Sequence, residues 1–275
     1  MEVNEKQYRN IVSKLETDCV AHGFEIHPFK IGWYNQTIAD KKFALDGSSN
    51  TLAFVIISTP SMFEKAFIPY INSEISDDFD VIDPIDSCMK KIFDLLRQSF
   101  QTQYDISTIH DFEISPITKR PLVLVQTAGH VAGAVRLYQT SDRQIEENNT
   151  ENRYRNSNQA TREILPRLFP VCMHPKYGGW FALRGILIFN NITVSDSILK
   201  RKDPPTILKS LNDINNLLLL YNNHWQDWKY RDIGMPHDVE RYSEIQKEYF
   251  KTEPTARRSM ILKMKHPKSM YKNHT

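Results

Sequence analysis

Apolar and polar positions along this chain fall into two rhythms. Tyr8, Ile11, Val12, Leu15 and Cys19 recur at helical spacing, so the chain opens with an amphipathic helix. Residues 24–31 alternate loosely and predict a strand. Residues 52–58 form an unbroken apolar run, a buried strand ended by Thr59-Pro60. A short helix is predicted over 61–70, and another from Asp83 or Asp86 to about Gln101. Pro121 precedes Leu122-Val123-Leu124-Val125-Gln126, read as a continuous apolar strand of a sheet interior. Strands resume over 168–173 and 180–189. Ile207, Leu208, Leu211, Ile214 and Leu218 mark a helix after Pro204-Pro205, and Tyr242, Ile245 and Tyr249 mark one more. The pattern is α+β, with helices at both ends.

Residues 145–162 break both rhythms. One Ile, one Tyr and one Ala stand among Asn, Glu, Gln, Arg, Ser and Thr, too little apolar area to offset the entropy of ordering, which predicts a mobile loop. The 275 residues suit one large domain or two small ones, with 40% hydrophobic and 25% charged positions. Cys19, Cys88 and Cys172 are sparse and odd in number, which fits a reducing compartment and neither a disulfide framework nor a zinc site. The first twenty residues are charged and lack a signal-peptide core, and no apolar run approaches a membrane span, so the cytoplasm is the expectation. The net charge of +2 is uneven. Six Lys or Arg and no acid fall in 257–272; the remainder holds 29 basic and 33 acidic residues, or −4. The chain divides at 256 into an acidic body and a basic segment, 257–275. The segment reads as a solvated end; with no basic stripe in the body, neither nucleic acid nor membrane is expected as a partner.

No dinucleotide fingerprint, phosphate-binding loop, zinc-protease motif or nucleophile elbow is present. No catalytic residue and no protein-bound metal is assigned. Three segments carry candidate chemistry. In Gln126-Thr127-Ala128-Gly129-His130-Val131-Ala132-Gly133-Ala134, five Ala or Gly residues follow or flank one His. This is either a trough where a flat macrocycle approaches the backbone, or tight helix–sheet packing beside a hydrogen-bonded His. In His174-Pro175-Lys176-Tyr177-Gly178-Gly179-Trp180-Phe181-Ala182-Leu183-Arg184-Gly185, the Pro and glycine pair make a turn. Arg184 then sits in an apolar strand, on the solvent face or against an anion. In Trp225-Gln226-Asp227-Trp228-Lys229-Tyr230-Arg231-Asp232, Arg231 either pairs with Asp232 or Asp227 at the surface or serves a ligand.

With these segments in order, the chain resembles the cblC-type family of cobalamin-processing proteins across roughly residues 24–257. Trp33-Tyr34-Asn35, Thr51-Leu52-Ala53-Phe54, Ser58-Thr59-Pro60, Ala128-Gly129-His130-Val131-Ala132-Gly133, His174-Pro175-Lys176-Tyr177-Gly178-Gly179-Trp180-Phe181, His224-Trp225, Asp227-Trp228, Tyr230-Arg231-Asp232 and Arg241-Tyr242-Ser243-Glu244 carry the likeness. The resemblance implies a nitroreductase-like fold, a mainly antiparallel sheet wrapped by helices. It implies cobalamin bound base-off, cyanide removed with electrons from reduced FMN or FAD fed by NADPH, and alkyl groups transferred to glutathione. It further implies corrinoid contacts from Asp111, Val123, Leu124, Val125, Gln126, His130, Leu137, Tyr138, Gln139, Cys172 and Leu183. Leu137 stands where the family can present Tyr. The glutathione-binding residues it implies are Arg184, Arg231 and Arg257. His130 is not expected to ligate cobalt. Handover to a cblD-type trafficking adaptor and methionine synthase is implied. Pro116-Ile117-Thr118-Lys119-Arg120 departs from the family's dimer turn, so a monomer or weak homodimer is expected. The alternatives are a non-catalytic cobalamin chaperone, or a nitroreductase-like flavin enzyme with another substrate.

Overall fold

A computed structural model describes residues 1–76, 83–143 and 168–265. Four antiparallel strands form the main sheet: β1 (Phe24–Lys30), β2 (Thr51–Ser58), β6 (Ala182–Thr193) and β3 (Ile106–His110), in that spatial order. A second, two-stranded antiparallel sheet pairs β4 (Arg136–Tyr138) with β5 (Val171–Met173). All eight residues of β2 are buried. Alternate residues feed opposite layers, Leu52, Phe54 and Ile56 to one core and Ala53, Val55 and Ile57 to another. That two-sided burial is why the segment reads as an unbroken apolar run.

The first core is covered by α1 (Glu5–Ala21), α3 (Ile68–Glu74) and α4 (Pro84–Gln98). Asn4 caps α1 in a reciprocal box with Gln7, and Asp83 caps α4 through the N–H groups of Ile85 and Asp86. The second core lies under α2 (Ile31–Thr37), α5 (Val125–Val131) and the 174–181 turn. A third cluster joins Tyr138, Val171, Met173 and Tyr230 to α6 (Leu211–His224). The chain closes with α7 (Glu244–Lys251) and α8 (Arg257–Lys265).

Several expectations need correction. The run 122–126 is not a strand. Leu122 is exposed, Val123 is buried in the second core, and α5 starts at Val125. A short apolar run carries no period of its own, and Ala128 and Gly129 let a helix seat against β6, where a Cβ on Gly129 would stand 2.9 Å from Leu183 and Val135. Ile207 and Leu208 precede α6: their N–H groups donate to the Tyr138 hydroxyl, and Ser210 caps the helix. The basic segment does not begin as a solvated end, because α8 inserts a fully buried Ile261 into the first core. β3 and β4, short and only partly buried, gave no periodic signal. The loop expected over 145–162 lies outside the described residues.

Candidate functional site

The first turn of α5, the β4–β5 hairpin, the glycine turn and the start of β6 meet around a cleft of about 240 Å³. Val125, Gln126, Cys172 and Leu183 line it, and Arg231 stands at its wall. These are four of the eleven expected corrinoid contacts and one expected glutathione contact, brought together from four elements. The wall is completed by Val171, Gly179, Phe181, Ala182, Tyr221 and Tyr230.

The other expected contacts spread outward. Leu137 pairs with Cys172 across β4 and β5. Tyr138 lines a separate cavity of about 160 Å³ with Leu208 and Ile214. Gln139 is exposed, with its N–H bonded to Asp142. Val123 is buried in the core and Leu124 is the residue before α5, its N–H held by the Tyr34 hydroxyl. Asp111 does not line the cleft. It follows β3, its backbone N–H donates to Arg184 O, and one carboxylate oxygen is buried without a partner. Burial raises its pKa against the pull of Arg184.

His130 is half-buried in α5 and its Nδ1 accepts the Leu137 N–H at 3.3 Å. Burial, Arg136 and Arg201 push its pKa down, so the ring is neutral. With Nδ1 accepting, Nε2 carries the proton and offers a donor, not a lone pair. The small residues around it do not make the trough that one reading of the sequence proposed. Gly129 packs on β6, and Gly133 takes φ +71° as the turn after α5, its face against the Lys202 backbone. The alternative, tight helix–sheet packing beside a hydrogen-bonded His, is what the structure contains.

The three arginines have different surroundings. Between β2 and β6 the register steps from Ile56↔Gly185 to Ile57↔Leu183, leaving Arg184 as the extra residue of a bulge. The bulge turns its buried guanidinium to the Ser58 hydroxyl, 3.0 Å away, on the side of Asp86 and Asp111. Asp86 is pushed to a pKa of about 6, by burial first and then by Asp83 and Asp111. Arg257 lies 3.5 Å from Asp83 and 5.1 Å over the Tyr249 ring. Arg231 instead occupies a cage of rings: its guanidinium carbon is 4.8 Å from Trp228, 5.0 Å from Tyr242, 5.1 Å from Tyr230 and 5.6 Å from Trp180. It donates to Gly179 O, and among the described residues no carboxylate forms an ion pair with it. The neighbouring Asp232, one of the two surface partners the sequence allows, is taken by Arg241 and the Trp180 indole.

The glycine pair explains the cage. A Cβ on Gly178 or Gly179 would lie 2.4 Å or 2.8 Å from the Arg231 backbone, so only glycine lets the two chains touch. Glu25 of β1 anchors the turn from below. Tyr177 donates to its Oε1 at 2.5 Å, and His174 Nε2 and His27 Nε2 approach Oε2 at 3.4 and 3.5 Å, at the edge of hydrogen-bond reach. Burial works to raise the Glu25 pKa, but these polar neighbours outweigh it and hold the carboxyl well below its usual range. Glu25, His27 and His174 group three donor atoms within 4.8 Å. His174 Nδ1, however, accepts the N–H groups of Lys176 and Tyr177, which leaves the proton on Nε2. In this arrangement the trio braces the turn against β1. Sequence reading missed Glu25, Trp228 and Tyr242; the repeated aromatics around Arg231 were the available signal.

The profile of the methylmalonic aciduria and homocystinuria type C family matches residues 23–261. A Gallus gallus protein named cyanocobalamin reductase / alkylcobalamin dealkylase is 41% identical over 86% of this chain and 89% of its own. A Homo sapiens protein of the same name is 36% identical over 94% of this chain and 83% of its own. The solved structure of a C. elegans B12-trafficking protein, CblC, superposes with a TM-score of 0.78 at 30% identity, covering 94% of this chain and 97% of that one.

Proposed function

This chain belongs to the methylmalonic aciduria and homocystinuria type C family, and from that premise we propose that it binds cobalamin base-off and removes the ligand above the cobalt. The observation that carries this reading is the cleft: a wall from α5, β5 and β6, with an arginine at its edge that forms no ion pair among the described residues. Its 240 Å³ is below the roughly 300–1,000 Å³ of ordinary ligand pockets. A corrinoid on this reading lies partly across its mouth, towards Leu137, which pairs with Cys172 of the cleft wall, and His130, whose Nδ1 is taken by the Leu137 N–H. The reading includes a nitroreductase-like fold, one cobalamin-processing domain over 1–256, a cytoplasmic place, a monomer or weak homodimer, and delivery towards a cblD-type adaptor and methionine synthase.

Two reactions follow. In the first, cyanocobalamin takes up one electron, the cobalt falls from Co(III) to Co(II), and cyanide leaves with the bonding pair. A base-off site helps by removing the axial nitrogen that holds cobalt oxidised. A reduced flavin, FMN or FAD, supplies the electrons. In the second, a glutathione thiolate attacks the alkyl carbon. The S–C bond forms, the Co–C bond breaks, and its electron pair stays on cobalt as Co(I). A free thiol with a pKa of about 8.5 is only a few per cent ionised at neutral pH. Arg231 stabilises the thiolate or a carboxylate of the peptide, and Arg184 and Arg257 are the further cations offered to it.

Filling the cleft tests the reading. Ala182→Trp places an indole where Leu183 and Cys172 face the opening and is expected to abolish cobalamin binding in a titration followed by absorbance. Ala182→Ser retains it. Unchanged affinity in a folded Ala182→Trp protein moves the corrinoid elsewhere.

A further inference from the structure

Trp228 joins two short 3₁₀ turns, Trp225–Asp227 and Lys229–Asp232. Its N–H donates to Trp225 O, and its own carbonyl accepts the Arg231 N–H. The joint takes φ +62°, a left-handed backbone that glycine adopts freely and bulky L residues avoid. The indole Nε1–H is buried without a partner. Both features work against folding, and a glycine at this position would remove both. Strain of this kind persists where the surroundings enforce it, and it concentrates at functional sites. Trp228 does not line the cleft, so it reaches the chemistry only through a neighbour.

That neighbour is Arg231, three residues on. Of the four rings around its guanidinium, Trp228 lies nearest, at 4.8 Å. The two indoles of the cage stack, with centroids of Trp180 and Trp228 5.8 Å apart and planes 11° from parallel, and Tyr242 crosses both at 80°. The other rings have their own anchors: Trp180, Tyr230 and Tyr242 are buried, and the Trp180 indole donates to Asp232. Trp228 is half-buried and no hydrogen bond holds its ring, so the left-handed backbone decides where the indole stands. Arg231 has its Nε–H unpartnered, and the Gly179 carbonyl and the Tyr242 hydroxyl accept from its Nη1 alone. The plane of the guanidinium is left to the rings. We propose that Trp228 is the positioning residue of Arg231: its left-handed backbone lays an indole against the guanidinium and holds that cation at the cleft wall for the thiol peptide. The inference rests on the reading of Arg231 as a glutathione residue. A stacked guanidinium is oriented without a counter-ion, so its charge stays whole for an incoming thiolate or carboxylate.

The test is demethylation of methylcobalamin at varied glutathione, with the full-length wild type, Trp228→Gly, Arg231→Gln and the double variant. Glycine keeps the left-handed joint and removes the ring. The KM for glutathione should rise roughly fivefold, the scale of a cation–π contact, with kcat nearly unchanged. In the Arg231→Gln background the same substitution should move KM by less than about twofold, because the contact is already gone. Trp228→Phe, which restores a π-face, should recover most of the loss; Trp228→Leu replaces the glycine variant if that protein unfolds, with the same outcomes expected. A wild-type KM in the ringless variant, a loss confined to kcat, or an equal loss in both backgrounds overturns the proposal. A wild-type protein without glutathione-dependent demethylation would instead overturn the functional reading. Positioning is then judged without glutathione, by the ¹H–¹⁵N correlation of the Arg231 Nε–H, identified by its absence from Arg231→Gln. Ring currents should set this signal apart from those of the other arginines, and Trp228→Gly should return it towards them. A signal that Trp228→Gly leaves in place overturns the proposal.

Discussion

Around Arg184 the chain gathers carboxylates, Asp86 from α4 and Asp111 after β3, with Asp83 beyond them. Around Arg231 it gathers rings, Trp180, Trp228, Tyr230 and Tyr242, and a backbone carbonyl. Both are arginines beside the start of β6, and both were candidates for the same anionic thiol peptide. The difference lies in what each has left to give. A guanidinium amid acids spends its field on them: Asp86 and Asp111 titrate higher than usual from burial and mutual repulsion, and Arg184 limits the rise. A guanidinium among π-faces is oriented and partly desolvated, yet its charge stays available for an incoming anion. The proposed function therefore assigns the peptide to the aromatic region first, with Arg184 in the bulge as the weaker candidate.

The sharpest way to break this contrast is Arg231→Gln. A charge-assisted hydrogen bond contributes about 1.5–3 kcal/mol, so the glutathione concentration needed for demethylation of methylcobalamin should rise roughly ten- to a hundredfold. Decyanation needs no thiolate and should fall much less. Equal loss in both assays would place Arg231 in the corrinoid site or the fold. Next comes the support of the cage. Gly179→Ala puts a methyl group against the Arg231 backbone, and overpacking of this kind costs about 1–3 kcal/mol. Denaturant unfolding should show that loss together with a weakened glutathione response; a fully stable variant would mean the two segments are free to part. Arg184→Gln should raise the glutathione requirement less than Arg231→Gln does, measured in the same pair of assays. A larger effect at Arg184 reverses the ranking of the two regions.

The smallest effect expected is at Asp86. Its carboxyl titrates near 6 in the folded protein against about 3.9 when unperturbed. Proton binding therefore favours the fold. The contribution is complete below the unperturbed value and is lost as pH rises through about 6. Asp86→Asn, which mimics the protonated form, should melt slightly higher than the parent at pH 7.5 and equally at pH 4. A variant that melts lower at pH 7.5 would show that Asp86 is held as a needed counter-ion of Arg184.

Much of this was legible in the sequence. The apolar run 52–58 gave the central strand because both its faces are buried, and Gly178-Gly179 marked the turn because only glycine allows the approach to Arg231. Family likeness, and not periodicity, groups Val125, Gln126, Cys172 and Leu183. What stayed hidden was long-range. That Asp232 would prefer Arg241 and Trp180, or that Glu25 would brace a turn about 150 residues later, depends on pairings no local pattern encodes. The run at 122–126 misled because apolar residues fill a helix start and a buried strand equally well, and only the seat of Gly129 on Leu183 decides between them.

The most direct test is an anaerobic absorbance scan of the protein with methylcobalamin, before and after glutathione. Base-off binding predicts an immediate shift of the visible bands to shorter wavelength on adding protein. Glutathione should then remove the methylcobalamin spectrum with one S-methylglutathione formed per corrinoid. A base-on spectrum that persists at saturating protein, or bands that stay unchanged once glutathione is added, would contradict the proposed activity.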